Sequence, residues 1–108
     1  MALTEDTTGL HKWLAGHPEQ RLQVLPGLVE RMLEQLGAAA AAAGTYLICC
    51  SDHLEDGDVY NTAFLLGRDG REIGRYRKIN MPYCELGERR RGPDFPVFET
   101  PDLGGVGM

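Results

Sequence analysis

Residues 74–92 read Gly74-Arg-Tyr-Arg-Lys78-Ile-Asn-Met-Pro82-Tyr-Cys84-Glu85-Leu-Gly-Glu-Arg89-Arg-Arg91-Gly92. A basic strand runs into a loop with Pro82, Cys84 and Glu85, and a run of three arginines closes at a glycine. Six of these 19 residues are Lys or Arg, over half of the chain's 11 cations. In an extended segment Tyr76 and Lys78 share one face, and Arg75, Arg77 and Ile79 share the other. Lys78 therefore points the way of an aromatic ring and not of the arginines. Taken alone, a strand-end lysine is ordinarily solvated, since Lys is seldom buried. Glu85, seven residues on and past Pro82, reaches the ammonium only if the loop folds back.

Working outward, the residues before this stretch form a hairpin. Val59 to Leu66 is a strand, Arg68-Asp69-Gly70 a tight turn, and Glu72 to Lys78 the returning partner. Asp56-Gly57 marks a further turn. Tyr46 to Ser51 is a continuous apolar run, the pattern of a strand buried on both faces. Before it, Pro26 to Ala43 carries apolar residues at three- and four-residue spacing, with Glu30, Arg31, Glu34 and Gln35 on the other side. This is an amphipathic helix, opened by Pro26 and closed by Gly44 in the left-handed position. Gly37 inside it costs about 1 kcal/mol relative to Ala. Leu10 to Gln20 reads as loop with one helical turn. Beyond the arginines, Phe95 to Thr100 is an irregular or edge strand because of Pro96. Asp102 to Gly105 is a turn, and Val106 begins a strand.

The chain has 108 residues, 43% hydrophobic and 25% charged, the size and balance of one small globular domain. A net charge of −5 argues against a nucleic-acid partner, which selects basic surfaces. No apolar run approaches the ~20 residues of a membrane span, and no leader pattern is visible. With three cysteines, two of them adjacent, there is no disulfide framework. A reduced, cytoplasmic protein is the expectation. One helix and about four strands give an α/β pattern whose core is incomplete, as in a piece of a larger domain.

Several side chains are candidates for chemistry. Glu5 ends an apolar segment, and ligand sites in α/β sheets lie beyond strand carboxyl ends. Cys49 and Cys50 sit within a strand, where cysteine usually acts as a small hydrophobe. Cys84 lies on a loop among cations that favour a thiolate. Arg89 to Arg91 can hold an anion or be spent in salt bridges. His11, His17 and His53 have no metal-ligand spacing, so no metal is expected. Phosphate-loop patterns are absent, and no cofactor is expected.

The pieces YNTAFLLGRDGREIGRYRKINMP (60–82), then Glu85, then RGPDFPVFETPDLGGVGM (91–108) together resemble the nitrilase superfamily of carbon–nitrogen hydrolases. The resemblance runs from about Pro26 to Met108 and is strongest from Tyr60 onward. It implies an α-β-β-α sandwich, two mixed sheets between helix layers, of which residues 1–108 are a partial domain. It implies a Glu–Lys–Cys triad supported by a second glutamate, acting on a small-molecule amide or related non-peptide C–N bond. Lys78 matches the family lysine, Glu85 the supporting glutamate, and Glu5 the general base. Thr4 stands where many members have proline, and Asn80 where many have histidine. The family nucleophile follows the Val106-Gly107 segment by a few residues, so it is expected beyond Met108. Cys49, Cys50 and Cys84 do not occupy its place. The chain alone is then expected to be inactive, and the full-length protein a homo-oligomer. The alternatives are a non-catalytic fragment, or a degenerate subunit or binding module of the same fold.

Overall fold

In the computed structural model, residues 18–80 and 89–108 are described, apart from the side chains of residues 18–22 and 24 in the first helix. Helix α1 (Pro18–Ala43) leads into β1 (Leu47–Glu55), β2 (Asp58–Leu66) and β3 (Glu72–Arg77), an antiparallel sheet in the order β1-β2-β3. A separate hairpin pairs β4 (Val97–Thr100) with β5 (Gly104–Gly107).

The helix starts earlier than Pro26. Leu25 is buried and extends the apolar stripe through Leu28, Val29, Met32, Leu33 and Leu36, so packing carries the helix back past that proline. Pro18 takes the first position instead, where a missing N–H is harmless. Pro26 lies inside the helix, where no backbone donor is available. At the other end the expectation holds. Gly44 is left-handed at φ 62°, and the amides of Gly44 and Thr45 return to the carbonyls of Ala41 and Ala40. This double return is the Schellman closure of a helix end.

β1 is longer than the apolar run suggested and continues through Ser51-Asp52-His53-Leu54-Glu55. Its residues alternate in exposure where it begins, and Ile48 remains 54% exposed and Cys50 exposed. Burial on both faces is therefore not what the strand adopts in this chain. The run is apolar throughout, but only the Leu47, Cys49 side meets the helix. The β1–β2 turn is made by Asp56 and Gly57, both at positive φ (50° and 83°), which sets Glu55 opposite Asp58. Paired positive φ values twist the hairpin in the direction strands prefer.

One face of the sheet meets the helix through Phe64, fully buried against Leu25 and Val29, with Met32, Leu33 and Cys49 around it. Thr62 and Leu66 flank Phe64 on this face and are buried too. Toward the β1–β2 turn the same face becomes polar. Arg75 lies over the Phe64 ring at 5.1 Å and Arg77 over Tyr60 at 5.3 Å, as strand alternation required. Arg75 also pairs with Glu72 at 2.8 Å and Glu55 at 3.2 Å, and it donates to His53 Nε2 at 3.0 Å. Accepting that bond leaves the His53 ring neutral with its proton on Nδ1, which is buried and has no hydrogen-bond partner among the described residues. Burial, then the Arg75 charge, pushes the His53 imidazole below its ordinary value of 6.5, against the opposing pull of Glu55 and Glu72.

On the opposite face the β4–β5 hairpin packs over the β3 side. The Phe98 ring occupies the space a side chain at Gly74 would fill, and Phe95 stacks on Tyr76 with centroids 6.2 Å apart.

The helix and the β2–β3 turn touch through two glycines. A Cβ on Gly37 would lie 2.6 Å from the Gly70 carbonyl oxygen, and one on Gly70 would collide with the Gly37 carbonyl. Gly70 also sits at φ 84°. The helix cost of Gly37 is thus offset by a close backbone approach. By contrast, nothing lies within 4 Å of a Cβ on Gly27. Gly27→Ala should raise stability by up to about 1 kcal/mol through helix propensity. Gly37→Ala should lower it by about 1–3 kcal/mol through overpacking. Urea denaturation of the two variants checks the opposite signs. His53 gives a second expectation. The folded state resists protonating this ring, so its contribution to stability is complete above about pH 6.5 and is lost as pH falls below that. Urea midpoints measured between pH 7 and 5 should fall less steeply in His53→Gln than in the parent chain.

Candidate active site

Hairpin register builds the site. The two-residue turn that puts Glu55 opposite Asp58 also puts Asp52 opposite Asn61. The β2–β3 pairing puts Thr62 opposite Arg77, and one step further the Lys78 amide donates to the Asn61 carbonyl at 2.8 Å. Asp52, Asn61 and Lys78 therefore form a row across β1, β2 and the end of β3, on the face away from the helix. Strands lie about 4.8 Å apart, so the outer members of the row are separated by about 10 Å of backbone.

Lys78 is half-buried and just past the last residue of β3. It is held through both its amide and its carbonyl, because the Gly92 amide donates to the Lys78 carbonyl at 2.9 Å. The returning segment is tied to the sheet at each residue. Arg89 forms a two-pronged pair with Asp52, Nε to Oδ1 at 2.6 Å and Nη2 to Oδ2 at 2.9 Å. The Arg90 amide donates to the Val59 carbonyl at 2.7 Å, and its side chain pairs with Asp58 at 3.3 Å. Arg91 donates to the Ile79 carbonyl at 3.0 Å. The arginine run is thus spent on carboxylates and a carbonyl of its own chain, which removes the support for an anion-binding module. Tyr76 sits below this neck, its hydroxyl 3.4 Å from the Ile79 amide and its ring stacked on Phe95.

Of the residues singled out in the sequence, Lys78 is described, and Glu5 and Glu85 lie outside the described residues, as does Cys84. Cys49 is half-buried on the helix side, where burial, and then the neighbouring Cys50 and Glu72, push its thiol up. That environment disfavours a thiolate. Cys50 is exposed on the face that carries Lys78, in the row of Ala63 and Tyr76. Asp52 and Asn61 were missed as members of the constellation. The signal was present: Asp56-Gly57 as a two-residue turn fixes which residues face each other.

Among the described residues no three His, Cys, Asp or Glu side chains are set out to hold a metal ion. No helix among them is long and apolar enough to cross a membrane. A cleft of about 450 Å³ lies beyond the other end of the sheet, lined by Tyr46, Arg68, Ile73, Glu99 and Asp102 among others. Its charged groups are mutually engaged. Asp102 accepts from the Tyr46 hydroxyl and pairs with Arg68 at 3.0 Å, and Arg68 also donates to the Gly44 carbonyl at the helix end.

Comparison with known proteins agrees with this architecture. A carbon–nitrogen hydrolase from Helicobacter pylori G27 superposes with a TM-score of 0.65 at 19% identity, covering 89% of this chain and 41% of that one. The NitN amidase from Neterenkonia sp. AN1 gives 0.63 at 23% identity, covering 78% and 34%. An N-terminal amidase gives 0.58 at 23% identity, covering 62% and 16%. The chain thus spans less than half the length of each of these structures. These likenesses establish the fold: mixed α/β, with one helix and two small sheets among the described residues, the expected partial sandwich. No curated protein sequence matches significantly. The family model for carbon–nitrogen hydrolases matches residues 14–108. The chain belongs to the carbon–nitrogen hydrolase family.

Proposed function

We propose that this chain supplies the lysine and the two carboxylates of an amidase-like carbon–nitrogen hydrolase acting on a non-peptide C–N bond. The observation that carries the reading is Lys78: a half-buried lysine at the end of a sheet, with its amide and its carbonyl both bonded. Such fixation suits a group that must meet charge where it develops.

In the proposed chemistry a cysteine thiolate attacks the amide carbon, and Glu5 takes the thiol proton. The carbonyl oxygen gains charge in the tetrahedral intermediate, and the Lys78 ammonium stabilises it. Glu5 passes its proton to the departing amine as the C–N bond breaks, leaving an acyl thioester. It then deprotonates the water that attacks the thioester, and the acid and free thiol are regenerated. Glu85 holds Lys78 and orients the leaving group. The nucleophile in this reading is none of Cys49, Cys50 and Cys84. The 108-residue chain alone then acts as a non-catalytic piece of the fold.

Two measurements test this. In an active hydrolase containing residues 1–108, Lys78→Ala should lower kcat by roughly 100- to 1000-fold, the usual cost of an oxyanion-stabilising donor. Near-parental turnover would reject the role. The isolated chain should show no cysteine-dependent amide hydrolysis, and thiol-sensitive release of ammonia by it would overturn the assignment of the nucleophile.

A further inference from the structure

We infer that the Asp52–Arg89 ion pair is a positioning device for Lys78, fixing residues 89–92 against the end of the sheet. The inference deepens the hydrolase reading and rests on it only for the role of Lys78.

Three observations carry it. First, Asp52 is not a random surface acid. Hairpin register puts it in the same row and on the same face as Asn61 and Lys78. Second, the pair has the geometry of a fixed contact. Both guanidinium prongs meet both carboxylate oxygens at 2.6 and 2.9 Å, and the two side chains are only 21% and 20% exposed. A planar fork against a planar carboxylate sets orientation as well as distance, which a lysine in that place does not. Third, the pair stands at the head of a four-residue stitch. Arg89 reaches β1, the Arg90 amide reaches β2 at Val59, Arg91 reaches Ile79, and Gly92 reaches Lys78 itself. Gly92 is required where it approaches, because a Cβ there would run into the Arg77 carbonyl. The segment at Gly92 therefore lies hard against the residue that precedes Lys78.

The stitch fixes Lys78 through its carbonyl, while β2 holds its amide. Asn61 holds its amide, Gly92 holds its carbonyl, and Arg89 holds the segment that delivers Gly92. The Asp52 contact is the two-pronged, least exposed of the side-chain contacts described for that segment, since those of Arg90 and Arg91 are solvent-exposed. Asp52 and Arg89 act on Lys78 through the backbone, and neither is assigned contact with substrate.

The chain's lysines are Lys12 and Lys78 alone, which makes the test direct. Acetylation of Lys78 is followed by peptide mass relative to Lys12, and hydrogen exchange is followed at the Lys78 and Gly92 amides, in Asp52→Asn, Arg89→Gln and Arg89→Lys chains. A positioning role predicts that Asp52→Asn and Arg89→Gln both speed exchange at these two amides by about tenfold, with the core Leu65 amide unchanged. Both should also move Lys78 acetylation in the same direction. Arg89→Lys, which keeps the charge and loses the fork, should behave like Arg89→Gln. The double exchange Asp52→Arg with Arg89→Asp should restore the parental values. The inference is overturned if the two single variants move acetylation in opposite directions, if Arg89→Lys is parental, or if exchange at Lys78 and Gly92 does not change. Arg89→Lys and Asp52→Asn decide the matter even if the double exchange does not fold. None of these readouts involves turnover, so they stand or fall independently of whether Lys78→Ala abolishes hydrolysis.

Discussion

Two backbone hydrogen bonds hold the candidate site together, Lys78 N–H to Asn61 and Gly92 N–H to Lys78. Both are peptide contacts, so they depend first on strand register. A slip of one residue in β2–β3 would send the lysine to the helix side and bring Arg77 or Ile79 in its place. Register is guarded at both ends of the sheet. At one end Asp56 and Gly57 supply the positive φ values of a two-residue turn. At the other, Gly67, Asp69 and Gly70 close the β2–β3 turn, with Arg71 bonded to both the Gly67 amide and the Asp69 carboxylate.

The two faces of the sheet do different work. The helix face buries Phe64 among apolar side chains and then changes to a mesh of Arg75, Arg77, Glu55, Glu72 and His53. Guanidinium groups lie flat on Phe64 and Tyr60 there, so the cations cover aromatic surface while their charges meet carboxylates. The other face carries the row of Asp52, Asn61 and Lys78, with Tyr76 and Phe95 stacked beside it. Phe95 and Val97 remain 68% and 65% exposed, an apolar margin next to the polar row. Alternation along one strand, Arg75-Tyr76-Arg77-Lys78, is what keeps the structural cations apart from the candidate functional one.

Much of this was legible in the sequence, for local reasons. Turn chemistry located the β2–β3 hairpin and the Asp56-Gly57 turn, and period-two alternation separated Lys78 from Arg75 and Arg77. Gly44 marked the helix end because only a residue free to adopt positive φ closes a helix there without strain. What escaped was non-local. The helix start moved from Pro26 to Pro18 because Leu25 finds Phe64, a contact across nearly forty residues. The arginine run looked like a solvated or loop-paired cluster because its partners, Asp52 and Asp58, lie on strands thirty and more residues earlier. Ile48 and Cys50 read as core because composition does not reveal which faces find cover.

The glycine contact between Gly37 and Gly70 has a consequence for how this chain tolerates changes of length. From that contact to the Gly44 cap the helix makes about two turns, at 3.6 residues each. An inserted residue between them would turn the cap by about 100° relative to the sheet and tear the Gly44 carbonyl from Arg68. An insertion ahead of Leu25 would leave both points in phase. The helix is thus indexed at its C-terminal end, and its last seven residues work as a spacer of set length between the helix–turn contact and the start of β1.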